Sequence, residues 1–324
     1  MSTSSLTNSA AGSATSGAAG SVNTELGSGA VLQSGPGPRA LSPAALSGGF
    51  LSSELVTMFR RWRNRALLIA LAVIPIALGV ALKLTTGSDG GGGNGGGGGG
   101  GGSGFVSQVS NNGLFLVFVA LTLTLPVFLP MALGVVAGDA ISGEAAQGTL
   151  RYLLVAPVGR SRLLAAKAIS LTVFCFVSSF VVALSAWATG LVLFPLGRVT
   201  LLSGDTVSYG YAVLIALLIT VVVSLSLLGL GAIGLFVSTL TDTPIAAMAV
   251  TVGATILSGI LQSIPQLSSI QPWLFTDQWT SFADLLRYPV YTANIVHNLW
   301  IQLLYVAVFG SAAWARFSGR DVLS

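Results

Sequence analysis

The chain has 324 residues, of which 53% are hydrophobic and only 7% charged, with a formal net charge of +4 and a pI near 9.6. Soluble domains carry about 25% charged residues, so a water-soluble enzyme of this length, which would lack the charge to cover its surface, is excluded. The basic balance does not indicate nucleic acid either, because the arginines gather at the ends of apolar runs rather than on one face.

Residues 1–50 are mostly Ser, Gly, Ala, Thr and Pro with few large apolar groups, a composition that cannot offset chain entropy by burial. A disordered, low-complexity tail is expected, and it lacks the basic start and apolar core of a signal peptide. Residues 51–65 then read as an amphipathic helix. Leu51, Leu55, Met58, Phe59 and Trp62 fall on one face, and Ser53 is placed to cap the helix with Glu54 in its first turn. Arg60, Arg61, Arg63 and Arg65, with Trp62, form a candidate interfacial anchor against membrane lipids. An ordinary basic flank before a spanning helix is the simpler alternative.

Six stretches without a charged side chain follow, at 66–82, 105–138, 168–197, 206–241, 243–276 and 288–315. A bilayer core of ~30 Å needs about 17–25 helical residues, so an all-α membrane protein with six transmembrane helices occupying 66–316 is predicted. The first span, 66–86, contains Pro75 as a kink site, with Lys83 able to snorkel outward. Residues 87–110 are a glycine-rich external loop that acts as a flexible tether. The second span begins after Asn111-Asn112-Gly113 and ends at Ala137, and the third covers 168–194, closed by Pro195. The fourth covers about 209–239 and holds a small-residue pair, Gly234 and Ser238, weak evidence of helix packing. The fifth covers 244–264, with Pro244 suited to its first turn. A mixed external segment at 265–295 precedes the last span, about 295–315, and a short tail at 317–324 ends the chain.

With the N-terminus inside, eleven of the fourteen basic residues fall on the inner side and Lys83, Arg198 and Arg287 on the outer. Such a bias places both termini and residues 139–167 in the cytoplasm, as expected of a multi-pass protein of the cell membrane. In that segment Ser142 suits the cap of a short helix with Glu144 at its positive end, Pro157-Val158-Gly159 breaks the chain, and Ser161 suits the cap of the next helix. A short helix across the ends of two spans is a lever through which a partner could move both. A plain positive-inside loop fits the composition as well.

The sequence from Gly138 to Lys167 resembles the signature of the ABC-2-type permease family, the membrane subunits of bacterial and archaeal ABC exporters. The resemblance rests on Asp139, Ile141, Gly143, Glu144, Gly148, Thr149 and Leu150, then Pro157, Arg160, Leu163, Leu164 and Lys167. It implies that the chain is the permease subunit of an exporter, with no enzymatic activity and no cofactor of its own. Two copies of a separate ABC ATPase would bind the ATP and Mg, and a second permease copy or sister permease would complete the pathway. It further implies that Asp139, Glu144, Thr149, Arg151 and Arg160 couple to the ATPase. The segment at 265–295 would dip back as a re-entrant external gate, with Trp273, Phe275 and Trp279 as candidates; an aromatic belt at the outer interface is the alternative.

No G-x-x-x-x-G-K-[ST] loop occurs, and the two lysines, Lys83 and Lys167, do not follow glycine. Cys175 reads as a packing residue and His297 as an interfacial one, so a disulfide or a cysteine–histidine metal site within the chain is not expected. The spans are read as free of ionisable groups, which favours apolar or amphipathic cargo. A secondary carrier or channel without an ATPase partner is the alternative function.

Overall fold

A computed structural model of the protein describes residues 43–88, 112–147, 160–194, 199–200, 206–287 and 290–319. These residues form α1 (Pro43–Arg60), α2 (Trp62–Ser88), α3 (Phe115–Thr124), α4 (Phe128–Ala146), α5 (Arg160–Leu193), α6 (Tyr209–Ser226), α7 (Leu228–Leu240), α8 (Pro244–Gln262) and α9 (Ala293–Ser318). Three 3₁₀-helices, Pro265–Leu267, Gln271–Trp273 and Trp279–Leu286, lie between α8 and α9. A two-residue antiparallel ladder pairs Val199 and Thr200 with Val207 and Thr206. Six helical stretches are long and apolar enough to cross a bilayer: Trp62–Thr85, Phe128–Ala146, Ser161–Leu193, Tyr209–Leu240, Pro244–Gln262 and Ala293–Ser318. The fold is therefore all-helical in character, with the expected number of membrane-length helices.

The enclosure of these helices differs. The apolar window of α4 is 72% buried, against 17% for α2 and 22% each for α8 and α9. Thus α4 is surrounded by protein, packing on α7 and α8, while α2, α8 and α9 keep broad outer faces. Small residues make the central packing possible, because helices approach closely only where side chains are absent or short. A Cβ added at Gly138 on α4 would lie 2.7 Å from the Met248 nitrogen of α8, and one at Gly234 on α7 would lie 2.6 Å from Ala137 Cβ. One turn along α7, Ser238 Oγ donates to the Gly138 carbonyl (2.9 Å) and accepts from the backbone N–H groups of Ile141 (3.0 Å) and Ser142 (2.9 Å). The Gly234–Ser238 pair is the seam between α7 and α4.

Several boundaries differ from the sequence expectation. The amphipathic segment does not start at Leu51: α1 starts at Pro43, inside the stretch expected to be disordered, so Ser53 lies within a helix rather than at its cap. Nor does it continue to Arg65, because the chain bends at Arg61 and α2 starts at Trp62. Asn64 supports the bend by donating from Nδ2 to the Met58 carbonyl (2.8 Å). Trp62 is 75% exposed and does not share the face formed by Met58 and Phe59, which pack on the core.

The second span is two helices. Pro126 lies in the break between α3 and α4, where its missing N–H and its ring disfavour a continuous helix. After the break α4 does not stop at Ala137 but continues to Ala146, carrying Asp139 and Glu144 inside a membrane-length helix. The reading of spans free of ionisable groups is corrected accordingly. Ser142 is an interior residue of α4 whose hydroxyl donates back to the Gly138 carbonyl, not a cap. Likewise α5 begins at Arg160, so Ser161 is already helical.

The fourth span is interrupted at Leu227. Ser224 and Ser226 donate to the carbonyls of Thr220 (2.7 Å) and Val222 (2.8 Å) just before the break, a pattern that bends helices. The segment before α9 contains 3₁₀ turns and no α-helix among its described residues. Residues 1–42 and most of the glycine-rich loop lie outside the described residues.

Gly138→Ala should lower the thermal midpoint of the detergent-solubilised protein by an amount corresponding to about 1–3 kcal/mol, the usual cost of overpacking. Gly253→Ala, where a Cβ would meet nothing within 4 Å, should leave it unchanged. Fluorescence-detected melting of the two variants tests the seam.

Candidate functional site

The bend between α1 and α2 lies against α4 and α5, and charged residues from all four helices meet there. Lys167, in the first part of α5, has a side chain only 9% exposed. Its Nζ donates to Glu54 Oε2 on α1 (2.7 Å) and to Glu144 Oε1 on α4. A buried ammonium needs an anionic partner to offset desolvation, and this one has two. Asp139 forms the complementary arrangement. Its Oδ2 accepts from Arg61 at the bend and ion-pairs with Arg63 Nη2 in the first turn of α2 (2.6 Å). Its own side chain is 11% exposed. Three carboxylates and three cations thus hold α1, the start of α2, the later half of α4 and the start of α5 together.

Each element is positioned by local features. Asp139 is adjacent to Gly138, whose lack of a side chain sets the depth of α4 against α8. Gly143 is required beside the Asp139 carboxylate, because a Cβ there would collide with Asp139 Oδ1. The Asn64 bond to Met58 fixes the bend that turns Arg61 and Arg63 toward Asp139. A small cleft of about 40 Å³ opens alongside, lined by Glu54, Arg61, Asn64, Asp139, Lys167 and Ser170 among others.

Of the coupling candidates, Asp139 and Glu144 are thus brought into one cluster, and both are bound to cations of this chain. Arg160 begins α5, while Thr149 and Arg151 lie outside the described residues. Of the interfacial anchors, Arg61 and Arg63 both reach Asp139, Arg61 half-buried and Arg63 still exposed. Arg60, Arg65 and Trp62 are exposed, and Arg65 Nη2 donates to the Arg60 carbonyl (2.5 Å). The gate candidates separate similarly. Phe275 and Trp279 are buried with ring centroids 5.7 Å apart, whereas Trp273 is 63% exposed.

Polar residues that the sequence reading did not single out hold this second region. Gln302 Nε2 donates to the Phe275 carbonyl (2.7 Å), and its Oε1 accepts from the Gly229 N–H (3.0 Å). Asn298 Nδ2 donates to Ser226 Oγ (2.6 Å), and His297, already read as interfacial, donates from Nε2 to the Pro272 carbonyl (3.1 Å). The signal available was the spacing of Asn298 and Gln302, four apart in an apolar run and hence on one helix face. Glu54 and Lys167 were visible in the sequence, but only as a first-turn acid and as the last residue of the Gly138–Lys167 signature. Among the described residues, no group of three or more His, Cys, Asp or Glu is arranged to hold a metal.

Residues 100–323 match the profile of a family described as a protein of unknown function, DUF2705. The chain belongs to this family. No curated protein matches the sequence. The DUF2705 region contains Asp139, Glu144 and Lys167 but stops short of Glu54, Arg61 and Arg63. The cluster therefore joins the family region to the helices that precede it.

Lys167→Met should destabilise the protein by about 3–5 kcal/mol, because it leaves two carboxylates without their cation at a largely buried position. Combining it with Glu144→Gln and Glu54→Gln should restore much of the loss. Melting curves of the single and triple variants check this, and equal loss in both would show that the ammonium is not the partner of these carboxylates.

Proposed function

We propose that this chain is the membrane subunit of an ABC-type exporter, moving an amphipathic or hydrophobic substrate at the expense of ATP hydrolysed by a separate subunit. The observation that supports this reading is the ion-pair cluster at the ends of α4 and α5, the two helices joined by residues 147–159. A force applied to that connection reaches α4 and α5 directly, and through Glu54, Arg61 and Arg63 it reaches α1 and α2. The resemblance of residues 138–167 to the ABC-2-type signature points the same way. Both termini and this connection are assigned to the cytoplasm on the distribution of basic residues.

On this reading Asp139 and Glu144 transmit motion within the chain, and the direct contacts to the ATPase fall to Thr149, Arg151 and Arg160. The region of Phe275 and Trp279, tied to α9 through Gln302, serves as the external gate. A secondary carrier would use its intramembrane carboxylates for ion binding. Here Asp139 and Glu144 are engaged by arginines and a lysine at one end of their helices, which favours a mechanical role.

An ATPase should copurify with the full-length protein from its native membrane. Arg151→Glu should reduce that recovery by about tenfold, the effect of losing roughly one charge-assisted contact, while leaving the melting temperature unchanged. Transport by the purified chain alone in liposomes, without any ATPase, would contradict the proposal.

A further inference from the structure

Away from the ion-pair cluster, α5 and α6 leave a gap that the chain does not fill. Phe180, Ala183 and Trp187 on α5, and Val213, Ala216 and Thr220 on α6, share the same spacing. Each set therefore lies on one helix face over two turns, about 10 Å. With the start of α3 as a third wall they enclose a slot of about 140 Å³. The short side chains of Ala183 and Ala216 leave the space between them. Leu184 and Leu217 also line the slot and are 54% and 48% exposed, so it opens on the outer face of the helices. Its lining carries no charge, and its two polar side chains are satisfied. Thr220 Oγ donates to the Ala216 carbonyl (2.8 Å), and Trp187 Nε1 donates to Tyr209 Oη (3.0 Å) in the first turn of α6.

We propose that this slot holds an acyl chain of an ester-linked membrane lipid, with the ester beside Trp187 and Tyr209. Both helices belong to stretches long and apolar enough to cross a bilayer, so hydrocarbon chains are the medium at its mouth. Surrounding lipid is as apolar as the slot, so the gain is dispersion rather than the hydrophobic effect. An empty gap leaves its walls without contacts on one side, and a chain restores them. A dry apolar cavity of about 150 Å³ accepts a benzene-sized hydrocarbon, so this slot takes about six carbons of a chain. Its two-turn length suits a flexible linear chain rather than a rigid fused-ring sterol. The polar end matches as well. Tyr209 Oη accepts from the Trp187 indole and keeps its own proton to donate, and the ester carbonyl at the head of the chain is an acceptor. Trp and Tyr commonly present an apolar body and a polar tip at membrane interfaces. The inference depends on the helices being bilayer spans and is independent of the exporter reading.

The test uses full-length, delipidated protein in a steroid-based detergent, titrated with phosphatidylcholine whose acyl chain is dibrominated near its ester end. Bromine quenches tryptophan fluorescence on contact, so Trp187 reports a chain in the slot. Quenching should saturate at one lipid per chain, and Trp187→Phe should remove that saturable phase. Ala183→Leu and Ala216→Leu, which fill the slot from either helix, should each abolish it, with melting curves confirming that both variants are folded. The ether-linked analogue, which lacks the carbonyl, should bind the unmodified protein about fivefold more weakly, the worth of one neutral hydrogen bond. Quenching that rises without saturating, or that survives Trp187→Phe or both leucine variants unchanged, overturns the site. Equal affinity for the ester and ether lipids overturns the role of Tyr209. The lipid titrations of the unmodified protein and of Trp187→Phe decide the matter even where a leucine variant fails to fold.

Discussion

The Lys167 ammonium, held between Glu54 and Glu144, is the interaction on which the arrangement of this protein depends. An ammonium at this depth is unfavourable alone and is offset only by nearby anions. It thereby fixes where α1 and α4 sit relative to α5. The Asp139 pair with Arg61 and Arg63 does the same for the bend and for the start of α2. In a protein with so few charges, six of them are concentrated at one end of the helices. Elsewhere the helices are joined by small-residue packing and by hydroxyl and amide hydrogen bonds.

These two kinds of adhesion have different mechanical consequences. Packing such as that of Gly138 on Met248 constrains the depth and crossing of the helices through close contact. Charge pairs with defined partners tolerate little relative displacement before the energy rises. The end of the molecule that carries the cluster is therefore the stiff end. The opposite region is joined mostly by neutral hydrogen bonds, those of Gln302 to Phe275, Asn298 to Ser226 and Ser258 to Thr276 at 2.5 Å, with a single buried carboxylate, Asp284, accepting from Asn294 (2.9 Å). Such an asymmetry suits a device that receives force at one end and rearranges at the other.

The number of membrane-length helices was legible from the sequence because it depends on the absence of charge over long runs, a local property. Pro244 at the start of α8 was legible for the same reason, being a rule about one residue and its helix. The continuation of α4 through Asp139 and Glu144 was not. Charges and glycines in a row read as a loop unless their partners are known, and those partners lie far away in sequence. Arg61 and Asp139 are 78 residues apart, and Glu54 and Lys167 are 113 apart. The pairing of Arg61 and Arg63 with Asp139 was hidden likewise, because an arginine cluster at a helix junction suits lipid phosphate as well as a buried carboxylate. The Gly234–Ser238 pair shows the opposite case: a motif too common to weigh by itself became informative once Gly138 and Ala137 were found against it.

The central claim is that the ion pairs make α1 and α5 a single mechanical unit. A distance measurement by pulsed electron resonance between nitroxides at Val56 and Ser161, both exposed, with buried Cys175 replaced by alanine, tests it most directly. The account predicts one narrow distance distribution that broadens markedly when Lys167 is changed to methionine in a protein that remains helical by circular dichroism. A broad distribution in the starting protein, or a narrow one that persists without Lys167, would contradict it.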